Sequence, residues 1–293
     1  MHPNVATWLT TAPILLDGAW GTEFQARGLP PGACPDALNL ERPDWVAAVA
    51  GAYIAAGARA ILTNTFGANR FMLARHDLTD RLAEINRRGA EISRAAAGPE
   101  ALVFGSVGPT GQMLLMGDVT EAEIEAAFTE QIEALAAGGV DAIAFETMAD
   151  LDEVKIALTV ARRAGLPAMA SLVYDSGPDH DRTMMGITPE QAAETLAEAG
   201  ADIIGSNCGH GSEGFVPLAP RLKAASGLPL WLKPNAGLPE MQAGRAVYRQ
   251  TPADFAQDAL ALVAAGADFI GGCCGTTPEF IRATAATLAT AHK

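Results

Sequence analysis

The chain has 293 residues, of which 49% are hydrophobic and 6% aromatic, and its formal net charge at pH 7 is -14. This length and composition predict one domain over residues 1–293 with one large buried core, and they argue against disorder or a fibrous repeat. An acidic chain without clustered Lys or Arg disfavours nucleic acid as a partner, and the lack of a long apolar run disfavours a membrane.

Eight short apolar runs predict buried strands. Four of them directly follow a helical stretch that ends in Ala-Gly-Ala or Gly-Gly-Val, where the glycine is expected to terminate the helix. In chain order the predicted strands are Ile14–Asp17, Ile61–Asn64, Leu102–Ser106, Ile143–Glu146, Ala168–Leu172, Ile203–Cys208, Leu230–Lys233 and Phe269–Cys273.

Amphipathic helical patterns separate these runs, as in Thr120–Ala137 and Pro189–Ala199, with acidic residues in the first turn. Eight buried strands alternating with helices predict an α/β protein, a single-domain (β/α)₈ TIM barrel. A doubly wound open sheet is the alternative, but no Gly-x-Gly-x-x-Gly follows the first strand, which disfavours it.

Polar and reactive residues collect at the ends of the predicted strands. Because the carboxyl ends of all barrel strands meet at one face, residues far apart in sequence are expected to converge there. The residues in question are Asp17, Asn64, Ser106, Glu146, Asn207, Cys208, Asn235, Cys273 and Cys274.

The cysteines suggest a metal site. There are four, two of them adjacent, and no secretion-like segment precedes them, which argues against disulfides and for a cytoplasmic protein. Cys208 ends the sixth strand, and Cys273 and Cys274 end the eighth. Zn²⁺ prefers tetrahedral thiolate coordination, and three protein ligands leave one position for a substrate, so the pattern predicts catalytic zinc.

Several alternatives remain open at this point. The three cysteines could be ordinary buried apolar residues. Cys34 could be a fourth ligand of a structural zinc in a non-catalytic barrel, and Lys233 or Glu146 could be the base of a metal-free aldolase or isomerase. His210 lies two residues after Cys208, but a solvated loop histidine is the expected reading.

Seven motifs give the chain a resemblance to a known family. The motifs, which are spread over nearly the whole chain, are Asp17–Thr22, Thr63–Asn69, Gly105–Gly111, Phe145–Thr147, Asn207–Gly209, Pro234–Pro239 and Gly271–Pro278. They are similar to those of the homocysteine S-methyltransferase family, which includes the homocysteine module of cobalamin-dependent methionine synthase and betaine-homocysteine methyltransferase.

The resemblance implies specific roles for the residues at the strand ends. Zinc would be held by the catalytic cysteines Cys208, Cys273 and Cys274, with Asn235 as a fourth ligand displaced by substrate. Substrate binding would fall to Asp17 and Glu146 for the amino group, and to Ser106 with the amides of Gly18 and Ala19 for the carboxylate. Helix capping is the competing role for the two carboxylates.

The implied reaction transfers a methyl group to the zinc-bound thiolate of homocysteine and gives methionine. The chain carries no Asp-x-His-x-x-Gly corrinoid motif, so methylcobalamin is expected only on a separate corrinoid protein, with this chain as a stand-alone homocysteine module. S-methylmethionine or a betaine as direct donor is the alternative.

Overall fold

The computed structural model describes residues 1–242 and 245–291 and contains an eight-stranded parallel sheet closed into a barrel. Neighbouring strands are consecutive in the chain, the last pairs with the first, and a bridge from Leu16 to Ala60 joins the first to the second. The predicted (β/α)₈ barrel is confirmed. Its strands are β1 (Ile14–Leu15), β2 (Ala60–Leu62), β3 (Leu102–Val107), β4 (Ala142–Met148), β5 (Ala168–Leu172), β6 (Ile203–Gly211), β7 (Leu230–Asn235) and β8 (Phe269–Ile270).

One principal helix follows each strand. These helices are α1 (Pro43–Ala55), α2 (Leu82–Ala97), α3 (Glu121–Ala137), α4 (Leu151–Arg163), α5 (Pro189–Glu198), α6 (Leu218–Ser226), α7 (Pro252–Ala264) and α8 (Pro278–Ala291). Within the described residues, no helix has both the length and the hydropathy needed to cross a bilayer. Shorter elements are the helices Pro3–Trp8, Gly21–Ala26, Leu38–Glu41, Arg70–Ala74 and Ser212–Phe215, the 3₁₀ turns Leu9–Thr11, Pro35–Ala37, Thr79–Arg81 and Leu114–Met116, and a hairpin of Glu240–Gln242 with Arg245–Val247.

Local sequence sets the helix ends. Thr120 and Thr188 each cap a helix through a reciprocal capping box, with Glu123 and Gln191 three residues later. At the other end, the expected glycine stop is found one residue beyond the C-cap, in a left-handed conformation; at the end of α3 it is Gly139 rather than Gly138 that adopts it.

Side chains alternate across each strand, so one row packs against the helices and the other fills the barrel. The inner row at the amino end is aromatic: the ring of Trp231 lies 5.0 Å from that of Phe104 and 5.6 Å from that of Phe269. Trp8, at the end of the short helix Pro3–Trp8, packs edge-on against Phe104. The barrel is therefore a packed core, not a channel, at this end.

Two residues further along the strands, the inner row becomes polar. A buried polar layer follows the apolar one, and its side chains also point into the barrel because positions i and i+2 of a strand share a face. Its members are Ser106 on β3, Glu146 on β4, Ser171 on β5, Asn207 on β6 and Lys233 on β7. This layer forms the floor on which the functional face is built.

Candidate metal centre and binding cavity

Three cysteines meet at the carboxyl ends of β6 and β8. The sulfur atoms of Cys208, Cys273 and Cys274 all lie within 4.8 Å of one another, and the Cys208 and Cys274 sulfurs are 3.9 Å apart. Four ligands around zinc at about 2.3 Å in a tetrahedron place sulfurs about 3.8 Å apart. The predicted convergence is found, and the spacing fits one shared ion.

The backbone around Cys208 is held in an uncommon conformation. Cys208 has a positive φ of 63°, and the pairing of β6 with β7 shifts register between Asn207 and Gly211. A second such irregularity lies in β4 beyond Phe145, where Thr147 has a φ of 61°. Bulges and left-handed residues of this kind re-aim side chains at functional sites.

Asn207 connects these two irregular segments. Its side-chain oxygen accepts hydrogen bonds from the Thr147 amide at 2.8 Å and the Ser171 hydroxyl at 2.6 Å. Its amide nitrogen donates to the Thr147 hydroxyl at 2.8 Å and lies 3.9 Å from the Cys273 sulfur. The side chain thus stabilises the turn after Glu146 and contacts the cysteine cluster at the same time.

Asn235 lies at the end of β7, beside the cysteines. The backbone on either side of it is hydrogen-bonded to them: the Cys273 amide donates to the Pro234 carbonyl, and the Ala236 amide donates to the Cys274 carbonyl. The Asn235 nitrogen donates to the Gly209 carbonyl, while its side-chain oxygen is buried without a partner among the described residues. A buried oxygen without a partner, on a residue whose chain neighbours are hydrogen-bonded to Cys273 and Cys274, is a candidate for a further ligand.

The electrostatics of the cluster also favour a cation. The adjacent Cys208 thiol and burial raise the pKa of Cys273 to about 12. Buried thiols that disfavour one another's ionisation become thiolates when a divalent cation offsets their charge. The donor set, its spacing and its chemistry therefore fit zinc.

Cys34, the proposed fourth cysteine, lies outside the cluster. In the described part of the chain, the residues close enough to share an ion are the other three cysteines. The Cys34 sulfur instead lies 3.7 Å from an oxygen of Asp36. A four-cysteine structural site does not form in this arrangement.

His210 faces a different, smaller cavity of about 350 Å³. Its ring packs edge-on against His180, with centroids 5.4 Å apart, and its Nε2 is buried without a partner among the described residues. His210 is half-buried and, among the described residues, is not part of the cluster that could hold a metal ion, in line with the expectation that it is not a ligand.

The cysteines border a cavity of about 550 Å³ at the carboxyl face of the barrel. Aromatic side chains, Trp20, Phe66 and Tyr248, form part of its wall. It is lined by eight of the residues predicted for the site, namely Gly18, Ala19, Asn64, Ser106, Glu146, Cys208, Cys273 and Cys274. Most of the predicted site residues therefore share one pocket, whereas Asp17, Asn207 and Asn235 are not among the residues that line it.

Glu146 lines this cavity together with the three sulfurs, Asp17 is not among the residues that line it, and neither carboxylate caps a helix. Asp150 caps α4, and the helix Gly21–Ala26 has no side-chain cap. Glu146 accepts a hydrogen bond from the Ser106 hydroxyl, and burial raises the pKa of its carboxyl although Lys233 and Ser106 oppose the rise. Capping does not explain these two carboxylates.

Asp17 is fully buried and already bonded. Its Oδ2 accepts from the Leu62 amide at 2.7 Å and from the Trp20 indole at 2.8 Å, and its Oδ1 lies 2.5 Å from the amine of Lys233. Direct contact between Asp17 and a substrate amino group stays a prediction.

No binding role was predicted from the sequence for Lys233, Thr147 or Asn207. Lys233 was detectable in principle, since a charged residue two positions after Trp231 in a buried strand must point into the barrel. The positive φ of Thr147 and the bonds of Asn207 depend on register irregularities that leave no trace in residue order.

Comparison with known proteins gives a consistent result. The family model described as homocysteine S-methyltransferase matches residues 14–288. The methionine synthase of Mycobacterium tuberculosis is 35% identical over 295 residues, and that of Mycobacterium leprae 32% identical over 291. Each alignment covers 93% of this chain but 24% of the relative, so the chain spans about a quarter of the length of these relatives.

Comparison with solved structures agrees with the family match. The metallated form of the homocysteine methyltransferase MmuM from Escherichia coli superposes with a TM-score of 0.80 at 26% identity, covering 97% of this chain and 99% of that one. The carboxyl transferase domain of Rhizobium etli pyruvate carboxylase, at a TM-score of 0.56 and 15% identity, shares the fold alone.

Proposed function

Because the chain belongs to the homocysteine S-methyltransferase family, we propose that it transfers a methyl group to the sulfur of homocysteine and forms methionine, using a zinc ion held by Cys208, Cys273 and Cys274. The observation that carries the proposal is the meeting of three thiols from two separate strands in a cavity that is also lined by a buried carboxylate, Glu146. An amino acid thiol has the matching groups, a sulfur and an ammonium.

Bound zinc would keep the homocysteine sulfur as a thiolate, the nucleophilic form, at neutral pH. The chain itself supplies three ligands, and we propose Asn235 as the exchangeable fourth, since its side-chain oxygen is buried without a partner in the described part of the chain. The thioether product is a neutral and weaker donor than a thiolate, which favours its release.

The polar layer of the barrel binds the amino acid head group. Glu146, placed at the cavity wall by the bulge in β4, accepts the ammonium, and the Ser106 hydroxyl fixes its carboxylate in position. For the substrate carboxylate we retain the amide of Gly18 as a candidate. The amide of Ala19 is hydrogen-bonded to Thr276, so it needs to exchange partners to contribute.

We propose that the methyl group arrives on a separate corrinoid protein. In support, relatives that the chain matches over a quarter of their length are methionine synthases. A second candidate is direct use of a small donor such as S-methylmethionine or a betaine. It is favoured by the match to MmuM, whose whole chain is a barrel of this size and is described as a homocysteine methyltransferase.

The alternative from another class is a barrel with a purely structural zinc. It requires a fourth permanent ligand, and Cys34 does not approach the cluster. We therefore place it below the enzymatic proposal.

The decisive variant is Cys208→Ala, with Cys34→Ala as the matched control, because both cysteines line the same cavity and one of them belongs to the cluster. We expect Cys208→Ala to lose stoichiometric zinc and all methionine formation, and Cys34→Ala to keep both. Metal content is measured by elemental analysis, and methionine by mass spectrometry. Turnover by Cys208→Ala without metal would refute the proposal.

The donor is identified by assaying the wild-type protein in parallel with methylcobalamin, a methylated corrinoid protein, S-methylmethionine and betaine. Methionine formation with the corrinoid protein alone supports the first candidate. Formation with either small donor at a comparable rate supports the second.

A further inference from the structure

Lys233 is a buried amine in the barrel interior. Its side chain is 2% exposed, and its Nζ lies 2.5 Å from Asp17, which is 0% exposed. Burial lowers the pKa of this amine, but Asp17 and Glu146 outweigh burial and the net shift is upward. A charged lysine at this depth is uncommon without a functional reason.

The charges of the buried group formed by Asp17, Glu146 and Lys233 do not balance. Asp17 and Glu146 contribute two negative charges and Lys233 one positive charge, so one carboxylate remains in excess. Asp17 is neutralised by Lys233 and by the donors on its other oxygen. The excess charge therefore lies on Glu146, which accepts a hydrogen bond from a neutral donor, the Ser106 hydroxyl.

An α-amino acid brings one ammonium and one carboxylate into the pocket. Glu146 matches the ammonium, and a desolvated carboxylate then needs a cationic or N–H donor. Among the described residues that line the cavity, Lys233 is the only lysine or arginine. The Ala19 amide and the Ser106 hydroxyl are already donating, to Thr276 and to Glu146.

The amine of Lys233 has the capacity for this contact. An ammonium has three donors, and the ion pair with Asp17 uses one of them. Lys233 lines the same cavity as Glu146 and Cys273, so a ligand in that cavity can reach all three side chains.

We propose that Lys233 binds the α-carboxylate of the amino acid substrate and that Asp17 positions its amine for this contact; the inference rests on the proposed function, in which that amino acid is homocysteine. Lys233 thereby determines specificity for thiols that carry a carboxylate, and Asp17 acts through Lys233.

The test uses zinc-loaded protein and calorimetric binding of three thiols, so that no methyl donor is needed. L-homocysteine carries both head groups, 3-aminopropane-1-thiol lacks the carboxylate, and 4-sulfanylbutanoate lacks the ammonium. We expect wild-type protein to bind homocysteine about 10- to 100-fold more tightly than the aminothiol, the ratio of one charge-assisted hydrogen bond. Equal affinities for these two thiols in the wild type would overturn the inference without any variant.

The variant is Lys233→Met, which should bind homocysteine and the aminothiol with nearly equal affinity while its affinity for the aminothiol stays close to that of the wild type. The double variant D17N/K233M removes both members of the buried pair and covers the case in which an unpaired Asp17 prevents folding. Lys223→Met is the control. The Nζ of Lys223 also pairs with an aspartate, at 2.6 Å from an oxygen of Asp268, but Lys223 lies outside the cavity. We expect it to keep the wild-type ratio.

The outcomes separate the two proposals. If wild-type protein binds no homocysteine at its zinc, the proposed function fails. If wild-type binds homocysteine selectively and the Lys233 variants lose affinity for homocysteine and the aminothiol by the same factor, Lys233 is structural and the inference fails alone.

Discussion

The carboxylate end of the site, which we define as Asp17, Glu146 and Lys233, and its sulfur end, which we define as the three clustered cysteines and Asn235, differ in how their polar groups are compensated. At the carboxylate end, Asp17 has three donors, among them the amine of Lys233, and Glu146 has the Ser106 hydroxyl. At the sulfur end, three thiols crowd together, and the buried oxygen of Asn235 has no partner in the described part of the chain.

The two groups of residues are therefore prepared for their ligands in different ways. The carboxylate end is organised by groups of the chain itself, so it requires little rearrangement to receive a charged ligand. The sulfur end has ligands in position, but their charge is offset only by a cation. Changes at one end are therefore expected to affect substrate affinity, and changes at the other to affect metal content.

The largest expected effect that tests this separation comes from Glu146→Gln. Removing the charge that holds the ammonium should weaken homocysteine binding about 10- to 100-fold, while zinc content stays stoichiometric. Glu153→Gln is the matched control, because Glu153 is a buried glutamate bonded to Thr110 outside the cavity. Loss of zinc in Glu146→Gln would show that the two ends are not separable.

The same carboxylate predicts a pH dependence. Burial raises the pKa of Glu146, so its charge is lost at a higher pH than that of an ordinary glutamate as the solution is acidified. Homocysteine affinity of the wild type should fall with decreasing pH on this limb, and the limb should be absent in Glu146→Gln. Calorimetric titrations at several pH values measure it.

An effect on metal affinity and on the stability of the fold, rather than on substrate affinity, is expected for Asn207→Ala. The substitution leaves the Thr147 amide, in its left-handed conformation, without its acceptor and removes the contact with Cys273. We expect a loss of about 2–4 kcal/mol in the free energy of unfolding, since buried groups left unpaired cost about 1–3 kcal/mol each. Zinc affinity should fall about 10- to 100-fold, as for other residues that orient metal ligands.

Ser171→Ala is the control for that variant, because it removes a single hydrogen bond to Asn207 and leaves the Thr147 contacts intact. Denaturant unfolding and competition with a zinc chelator provide the measurements. Equal losses in both variants would mean that Asn207 contributes packing alone.

The smallest effect on substrate and metal binding is expected at Asp36, which also lines the cavity. Burial raises the pKa of this aspartate to about 6 from its usual 3.8, so the folded state binds a proton more tightly than the unfolded chain. Its charge therefore costs stability above about pH 6, and this cost disappears as the pH falls below 4.

Asp36→Asn keeps an acceptor for the Gly67 amide and removes the charge. We expect it to raise the free energy of unfolding of the metal-free protein at pH 8 by up to about 3 kcal/mol, the free energy that corresponds to a rise in pKa from 3.8 to about 6. At pH 4 the free energy of unfolding should change little. Denaturant unfolding at the two pH values measures this. A stability gain that is equal at both would contradict the assignment.

The sequence predicted the barrel and the meeting of its three cysteines because both depend on periodic patterns. Buried runs specify strands, and the closed topology then brings Cys208 and Cys273 to the same face whatever their separation in the chain. The same reasoning placed Glu146 and Ser106 in one pocket.

The partners of those residues were not predictable in the same way. Whether Asp17 faces a ligand or a lysine depends on side-chain reach across the barrel, and Cys34 in a long loop could have approached the cysteines or Asp36 with equal plausibility from residue order. Loop paths and cross-barrel contacts are tertiary properties, and they are decided after the strands have closed.

The alternation along β7 has one more consequence. Trp231, Lys233 and Asn235 occupy successive inward positions and reach from the aromatic floor to the rim. Inserting or deleting one residue at the start of this hexapeptide, ahead of Trp231, would exchange the inner and outer faces of all the residues that follow. Such an indel would remove the aromatic plug, the buried amine and the rim amide together, so any lengthening of this strand that preserves both folding and catalysis has to come in steps of two.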